Sequence, residues 1–161
     1  MEARLGNVAN LLARPQLQVM DLANSLQFYV RALGFKIWFE RPEKKFAYLT
    51  LDGVGLLLEQ FQLPDTARGN LRTPPVPPFA LGVLLEIRVE NVADELRRLQ
   101  PARVPLLIPT AERWYRRSDG EHGRLECVIA DPDGYLLRLF EDLGTRPRGS
   151  AWTPFAATAL A

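Results

Sequence analysis

The sequence predicts an α+β fold of two βαβββ modules. Three observations predict it. Short stretches that alternate apolar and polar residues surround one amphipathic helix, in the order strand, helix, three strands. That order recurs later in the chain. Between the two occurrences lie five prolines, Pro64, Pro74, Pro75, Pro77 and Pro78, which donate no amide and fix φ, so the segment reads as a linker.

In the first module Leu17 and Val19 alternate with Gln16 and Gln18, the period-two mark of a half-buried strand. Asp21 is placed to cap a helix through residue 32, with Leu22, Leu26, Tyr29, Val30 and Leu33 on one stripe and Gly34 as its stop. Residues 35–39 and 46–51 alternate again. Asp52-Gly53 signals a tight hairpin into a strand over 55–61.

The repeat is visible at two offsets. Leu17-Gln-Val-Met-Asp-Leu-Ala-Asn-Ser-Leu26 aligns with Ile87-Arg-Val-Glu-Asn-Val-Ala-Asp-Glu-Leu96 at 70, placing Asn91 where Asp21 caps. Asp52-Gly53 aligns with Asp133-Gly134 at 81, and Leu56 and Leu58 with Leu137 and Leu139. The 11 extra residues read as a long polar loop around Arg113–Gly123. Residues 14–62 are then the first module, 63–79 the linker, 80–143 the second module and 144–161 a tail. In that tail Trp152 and Phe155 are the residues expected to dock.

A chain of 161 residues is long enough to bury a core without covalent staples. Its net charge of +1, with both signs interleaved, lacks the basic footprint of a nucleic-acid or anionic-membrane binder. No apolar run is long enough to span a bilayer, and the N-terminus shows no secretory signal pattern. A lone Cys127 suits a reducing compartment, so the cytoplasm is expected.

Two segments resemble the glyoxalase/bleomycin-resistance/extradiol-dioxygenase (vicinal oxygen chelate) superfamily. One is Val19-x-Asp21 with Ser25-Leu-Gln-Phe-Tyr-Val-Arg-Ala-Leu-Gly-Phe35. The other is Asp131-Pro-Asp-Gly-Tyr-Leu-Leu-Arg-Leu-Phe140. The resemblance covers about residues 14–143 and implies that the two βαβββ modules form a curled mixed sheet around a small-molecule cleft, assembled as a homodimer. It further implies that metal-dependent members take one ligand from the first and last strand of each module. Those positions fall here on Arg14, Leu57, Leu84 and Arg138. Leucine has no lone pair to give and guanidinium accepts nothing, so the chain is read as lacking a metal or other cofactor. Glu59 and Glu86 lie one step along and offer the remaining route to an ion. His122, in the long loop, reads as a solvated side chain.

Every second residue of a strand shares a face. That places Arg14, Gln16, Gln18, Leu57 and Glu59 on one side of the first module, and Leu84, Glu86, Arg88, Leu136, Arg138 and Phe140 on one side of the second. Mixed charge, amides and apolar groups suit an amphipathic ligand, with Arg14 and Arg138 facing Glu59 and Glu86 or a ligand acid. Alternatively, these charges only neutralise one another. Trp38 and Trp114 offer planar stacking faces, or else serve as core and dimer contact. Cys127, on a strand expected over Leu125–Ile129 with Glu126 beside it, reads as a buried inert thiol, and Arg113, Arg116, Arg117 and Arg124 as a solvated basic lid.

Three functions remain. The preferred one is a non-enzymatic binder that sequesters an antibiotic or toxic metabolite, although the chain lacks the acidic surplus suited to a cationic drug. The second is a metal-dependent lyase, isomerase or dioxygenase of the same superfamily, which needs the Lewis acid that these four positions do not hold. The third is a regulatory partner using the aromatic tail.

Overall fold

Residues 14–62, 76–79, 82–118 and 120–147 are described by the structure, a computed structural model. In the first module β1 (Gln16–Val19) leads into α1 (Leu22–Leu26), which widens into a π-helical segment over Gln27–Ala32. β2 (Lys36–Arg41), β3 (Phe46–Leu51) and β4 (Val54–Gln60) follow. The second module repeats the order with β5 (Leu84–Arg88), α2 (Val92–Leu99), β6 (Leu106–Arg117), β7 (Gly120–Ala130) and β8 (Leu136–Arg146). The sheets run β1-β4-β3-β2 and β5-β8-β7-β6. In each, the first strand lies parallel to the last and the other pairs are antiparallel. The repeat read at two offsets is therefore a repeat of topology.

Both helices start where the repeat places them. The Asp21 carboxylate accepts from the amides of Ala23 and Asn24 at 2.9 and 3.2 Å, and the Asn91 side chain accepts from Asp94 at 2.9 Å. Each satisfies amides that the first helical turn leaves without partners. Widening to π geometry brings the neighbours Phe28 and Tyr29 to the buried side together, with Ala32. Gly34, at φ +79°, ends the helix, and a Cβ there would lie 3.0 Å from the Arg98 guanidinium, which donates to the Ala32 carbonyl at 3.4 Å. Asp52 and Gly53 both have positive φ, as a two-residue hairpin with the right-handed strand twist requires.

The surplus around Arg113–Gly123 is not a loop. Ala111–Arg117 pairs with Gly120–Glu126, so β6 and β7 have 12 and 11 residues where β2 and β3 have 6 each. Period-two alternation is hidden there because both faces of the projecting hairpin carry polar groups, which removes the apolar signal that marks a strand. β8 continues to Arg146, past the expected module end at 143, and pairs with Glu121. Its register slips between Gly123 and Arg124 as it passes over Leu143, next to Gly144 at φ +84°, which makes a bulge. Most of the expected linker and the tail residues Trp152 and Phe155 lie outside the described residues. Among the described residues no helix is long and apolar enough to cross a membrane.

One hydrophobic cluster serves both modules. Leu17, Val19, Ala47, Leu49, Leu56 and Leu58 of the first sheet join Ile87, Cys127, Ile129, Leu137 and Leu139 of the second, with Tyr29, Leu33, Val92 and Leu99 from the helical segments. Cys127 is buried, and burial pushes its thiol up, followed by the charge of Glu126. A buried thiol so shifted is a poor nucleophile.

Polar contacts fasten the modules at the Asp131–Tyr135 turn. One oxygen of buried Asp131 accepts from the amides of Asp133 and Tyr135 at 2.9 and 2.7 Å, while the other accepts from the Tyr29 hydroxyl at 2.9 Å. Asp133 accepts from the Met20 amide at 3.2 Å and the Ser25 hydroxyl at 3.4 Å, and the Tyr135 hydroxyl donates to the Gln18 carbonyl at 3.0 Å.

Removing the Asp131 carboxylate leaves buried donors unpaired on both modules. Asp131→Ala is expected to cost about 3 kcal/mol in chemical denaturation and Tyr29→Phe about 1 kcal/mol. An Asp131→Ala midpoint no lower than that of an exposed substitution would refute the assignment. Burial, then the Asp131 charge, pushes Tyr135 up to about 12. A raised pKa means that its neutral hydroxyl stabilises the fold fully below about pH 10, where unfolded tyrosine ionises. That contribution is lost as pH rises toward about 12. Denaturation midpoints should fall across that interval, and Tyr135→Phe should remove part of the slope.

Candidate binding site

Strand register sorts the polar residues before any contact is considered. In the first sheet Gln16 pairs with Leu57 and Gln18 with Glu59, while Phe46 and Tyr48 oppose Glu59 and Leu57. These residues alternate with the buried Leu17, Val19, Ala47, Leu49, Leu56 and Leu58, so they point away from the shared core. The Gln16 amide donates to Glu59 at 2.5 Å, and the Arg14 guanidinium stands 5.5 Å from the centre of the Tyr48 ring. Trp38 sits at a register shift of edge strand β2, 42% exposed; the rings grouped on this face are Phe39, Phe46 and Tyr48.

The second sheet carries a denser arrangement. Register sets Leu84 opposite Leu136, Glu86 opposite Arg138 and Arg88 opposite Phe140, with Phe140 opposite Glu126 on β7. Arg138 donates to Glu86 at 2.7 Å, and Arg124 reaches the other Glu86 oxygen at 3.2 Å. Arg124 also stacks 4.1 Å from the Phe140 ring centre. Buried Glu126 accepts from the Tyr115 hydroxyl at 2.8 and 2.9 Å. The Nε atoms of Arg113 and Arg138 lie 3.6 and 3.7 Å from the same carboxylate. Arg88 leans away from this group toward Asp142, at 3.8 Å.

Ionisation follows from these contacts. Burial raises the Glu86 carboxyl, but hydrogen bonds from Arg138 and Arg124 outweigh it and hold the group below its usual range. Arg138 is shifted the other way: burial lowers it, and Glu86 with Glu126 more than restores it. Burial, then the hydrogen bond to Glu126, raises Tyr115. Between these groups lies a recess of about 70 Å³, lined by the apolar Ile108, Pro109, Cys127 and Val128 and by Arg113, Tyr115, Glu126 and Arg138.

Tyr115 and Glu126 were not among the expected binding residues, and Arg113 and Arg124 were expected on a solvated lid. Reading residues 113–123 as a loop hid Arg113 and Tyr115, whereas Glu126 lies on the strand expected over Leu125–Ile129 and lacked only its partner across the hairpin. Trp114, which was expected at the site, alternates with Tyr115 and occupies the other side of the hairpin. There it donates to Glu112 at 2.5 Å, covers Gly123 and receives the Arg146 guanidinium 3.9 Å from its ring centre. His122, expected in a loop, lies on β7 opposite Tyr115.

Residues 10–139 match the Glyoxalase/Bleomycin resistance protein/Dioxygenase superfamily. The chain belongs to this superfamily. Solved structures with the same fold include a glyoxalase-related enzyme from Fulvimarina pelagi, 22% identical at a TM-score of 0.60, covering 88% of this chain and 99% of that one. TioX from Micromonospora sp. ML1 is 16% identical at 0.59, covering 81% and 97%. Lactoylglutathione lyase from Agrobacterium tumefaciens is 17% identical at 0.54, covering 82% and 93%. No curated protein sequence matches the chain.

For a superfamily member, the residues at the four expected ligand positions, of which Arg14 precedes β1, do not fit a divalent ion. Leu57 and Leu84 offer no donor atom, and the Arg14 and Arg138 guanidinium groups are cations with no lone pair to give. Neighbouring Glu86 is held by two guanidinium groups, and Glu59 accepts from Gln16. Among the described residues no group of three or more His, Cys, Asp or Glu side chains is arranged to hold a metal.

The Tyr115–Glu126 contact gives a direct spectroscopic test. Tyr115 should titrate above the ordinary tyrosine value, and Glu126→Gln should bring it back down, as followed by ultraviolet difference absorbance with Tyr115→Phe as the assignment control. An unchanged titration in Glu126→Gln would show that the pair does not form.

Proposed function

We propose that this protein binds a small amphipathic molecule on the polar face of its second sheet without a divalent metal, and that it sequesters the molecule without transforming it. The observation that carries the reading is the donor chemistry. A guanidinium at Arg138, paired with Glu86 and beside Glu126, occupies a position where a metal-dependent superfamily member would present a ligand. The recess beside it sets apolar residues next to a few convergent polar groups and, at about 70 Å³, is sized for one end of such a molecule. An antibiotic or toxic metabolite in the cytoplasm is the class of ligand proposed. The superfamily's own description, which includes bleomycin resistance, supports that choice.

Metal analysis after loading with zinc, manganese, nickel and magnesium, together with thermal shift in their presence, tests the reading. The expected result is no stoichiometric metal and no shift, while a panel that includes bleomycin-type glycopeptides produces a chelator-insensitive ligand shift. One bound ion per chain with a raised melting point would move the protein to the lyase, isomerase or dioxygenase branch.

The protein is further proposed to act as a homodimer. Edge strands β2 and β6 expose Ile37, Trp38 and Phe39 and Leu106, Leu107 and Ile108. Unprotected apolar sheet edges favour pairing with another chain. Light scattering should give twice the 18.2 kDa chain mass. Leu107→Lys should shift the protein toward the single-chain mass, and a monomeric wild type would contradict the proposal.

A further inference from the structure

The Nε–H of Arg138 is buried and has no hydrogen-bond partner. The Glu126 oxygen that it faces stands 3.7 Å away, beyond hydrogen-bonding range, and that carboxylate accepts from the Tyr115 hydroxyl instead. An unpaired buried donor is costly, and more so on a charged group. This donor belongs to a residue that lines the 70 Å³ recess. Around that recess three guanidinium groups, Arg113, Arg124 and Arg138, meet two carboxylates, Glu86 and Glu126.

From this arrangement we infer that the recess is an anion subsite that takes the carboxylate of a small organic acid, with the Arg138 guanidinium as its principal donor. The inference rests on the reading of this face as a binding site and names the charge of what binds there. Guanidinium donates in a planar fork that matches the two oxygens of a carboxylate. Ile108, Pro109 and Val128 also line the recess, so the carbon skeleton next to the acid is apolar. Glu126 has a defined part in this arrangement. Its negative charge sits beside the incoming anion, so it tempers affinity and favours a singly charged acid over a doubly charged one.

The test uses the full chain with benzoate as probe, benzamide as its neutral isostere and inorganic phosphate as a polar anion, at constant ionic strength. Binding is followed by nuclear magnetic resonance titration of the second-sheet amides. Benzoate should bind about tenfold or more tightly than benzamide, and Arg138→Gln should remove that preference, as expected for one charge-assisted hydrogen bond. Glu126→Gln should tighten benzoate several-fold, whereas a cation site would weaken. That variant and the wild-type comparison decide the matter even if Arg138→Gln fails to fold. Equal affinity for benzoate and benzamide, or weaker benzoate binding in Glu126→Gln, would overturn the anion assignment, and stronger binding of phosphate than of benzoate would overturn the choice of a singly charged organic acid. If the neutral compound still binds, the face remains a binding site. If neither aromatic compound shifts a second-sheet signal, both readings fall together.

Discussion

Asp131 stands where the two modules meet, and its two oxygens have different duties. One holds the turn that starts β8, through the amides of Asp133 and Tyr135, while the other holds the π-helical segment of the first module, through Tyr29. Because one carboxylate does both, the angle at which β8 leaves its turn is tied to the position of the first helical segment. The shared apolar cluster is non-directional and cannot by itself fix that relation. Directional contacts through Asp131, Asp133 and Tyr135 supply it. Arg138, three residues further along β8, inherits its placement from this fastening.

The core thereby decides where chemistry is allowed. Both sheets give one face to the same cluster, so their polar residues lie on faces turned away from it. On the second sheet those residues resolve into an alternation of charge, Arg124–Glu86–Arg138–Glu126, with Tyr115 at its end. Such a row is held by partial burial and hydrogen bonds more than by bare Coulomb attraction, because several of its members keep contact with water. A guanidinium in this setting provides fixed positive charge and directed N–H groups. It does not coordinate an oxygen or make a water acidic as a divalent ion does, so under the proposed function this strand position would serve recognition in place of Lewis-acid chemistry.

Much of this was legible in the residues. The two N-caps, the hairpin at Asp52-Gly53 and the repeat of topology follow from local rules that act over a few positions. The pairing of Glu86 with Arg138 follows from parity once β5 and β8 are neighbours. Contacts between distant segments were not legible: Tyr29 and Asp131 are 102 positions apart, and Asp131-Pro-Asp-Gly reads as an ordinary turn until the first helical segment is set against it. The long hairpin was missed for a different reason. A strand pair with polar groups on both faces carries no hydrophobic period, and with it went Tyr115, so that Glu126, on a strand that was expected, was left without its partner across the hairpin. The widening of the first helix has no signature in its apolar stripe, which fits α geometry equally well.

The bulge at Leu143 and Gly144 has a bearing on how this hairpin can change length. A one-residue slip in a strand turns every side chain beyond it to the opposite face. The slip between Gly123 and Arg124 is absorbed on β8, so residues on either side of it keep their own facing. A single-residue insertion between Tyr115 and Glu126, with no compensating bulge, would turn one of them toward the far side of the hairpin. Diversification of this site is thus quantised: residues enter or leave in pairs, or singly with a new bulge, while the turn that begins at Ser118 escapes that constraint.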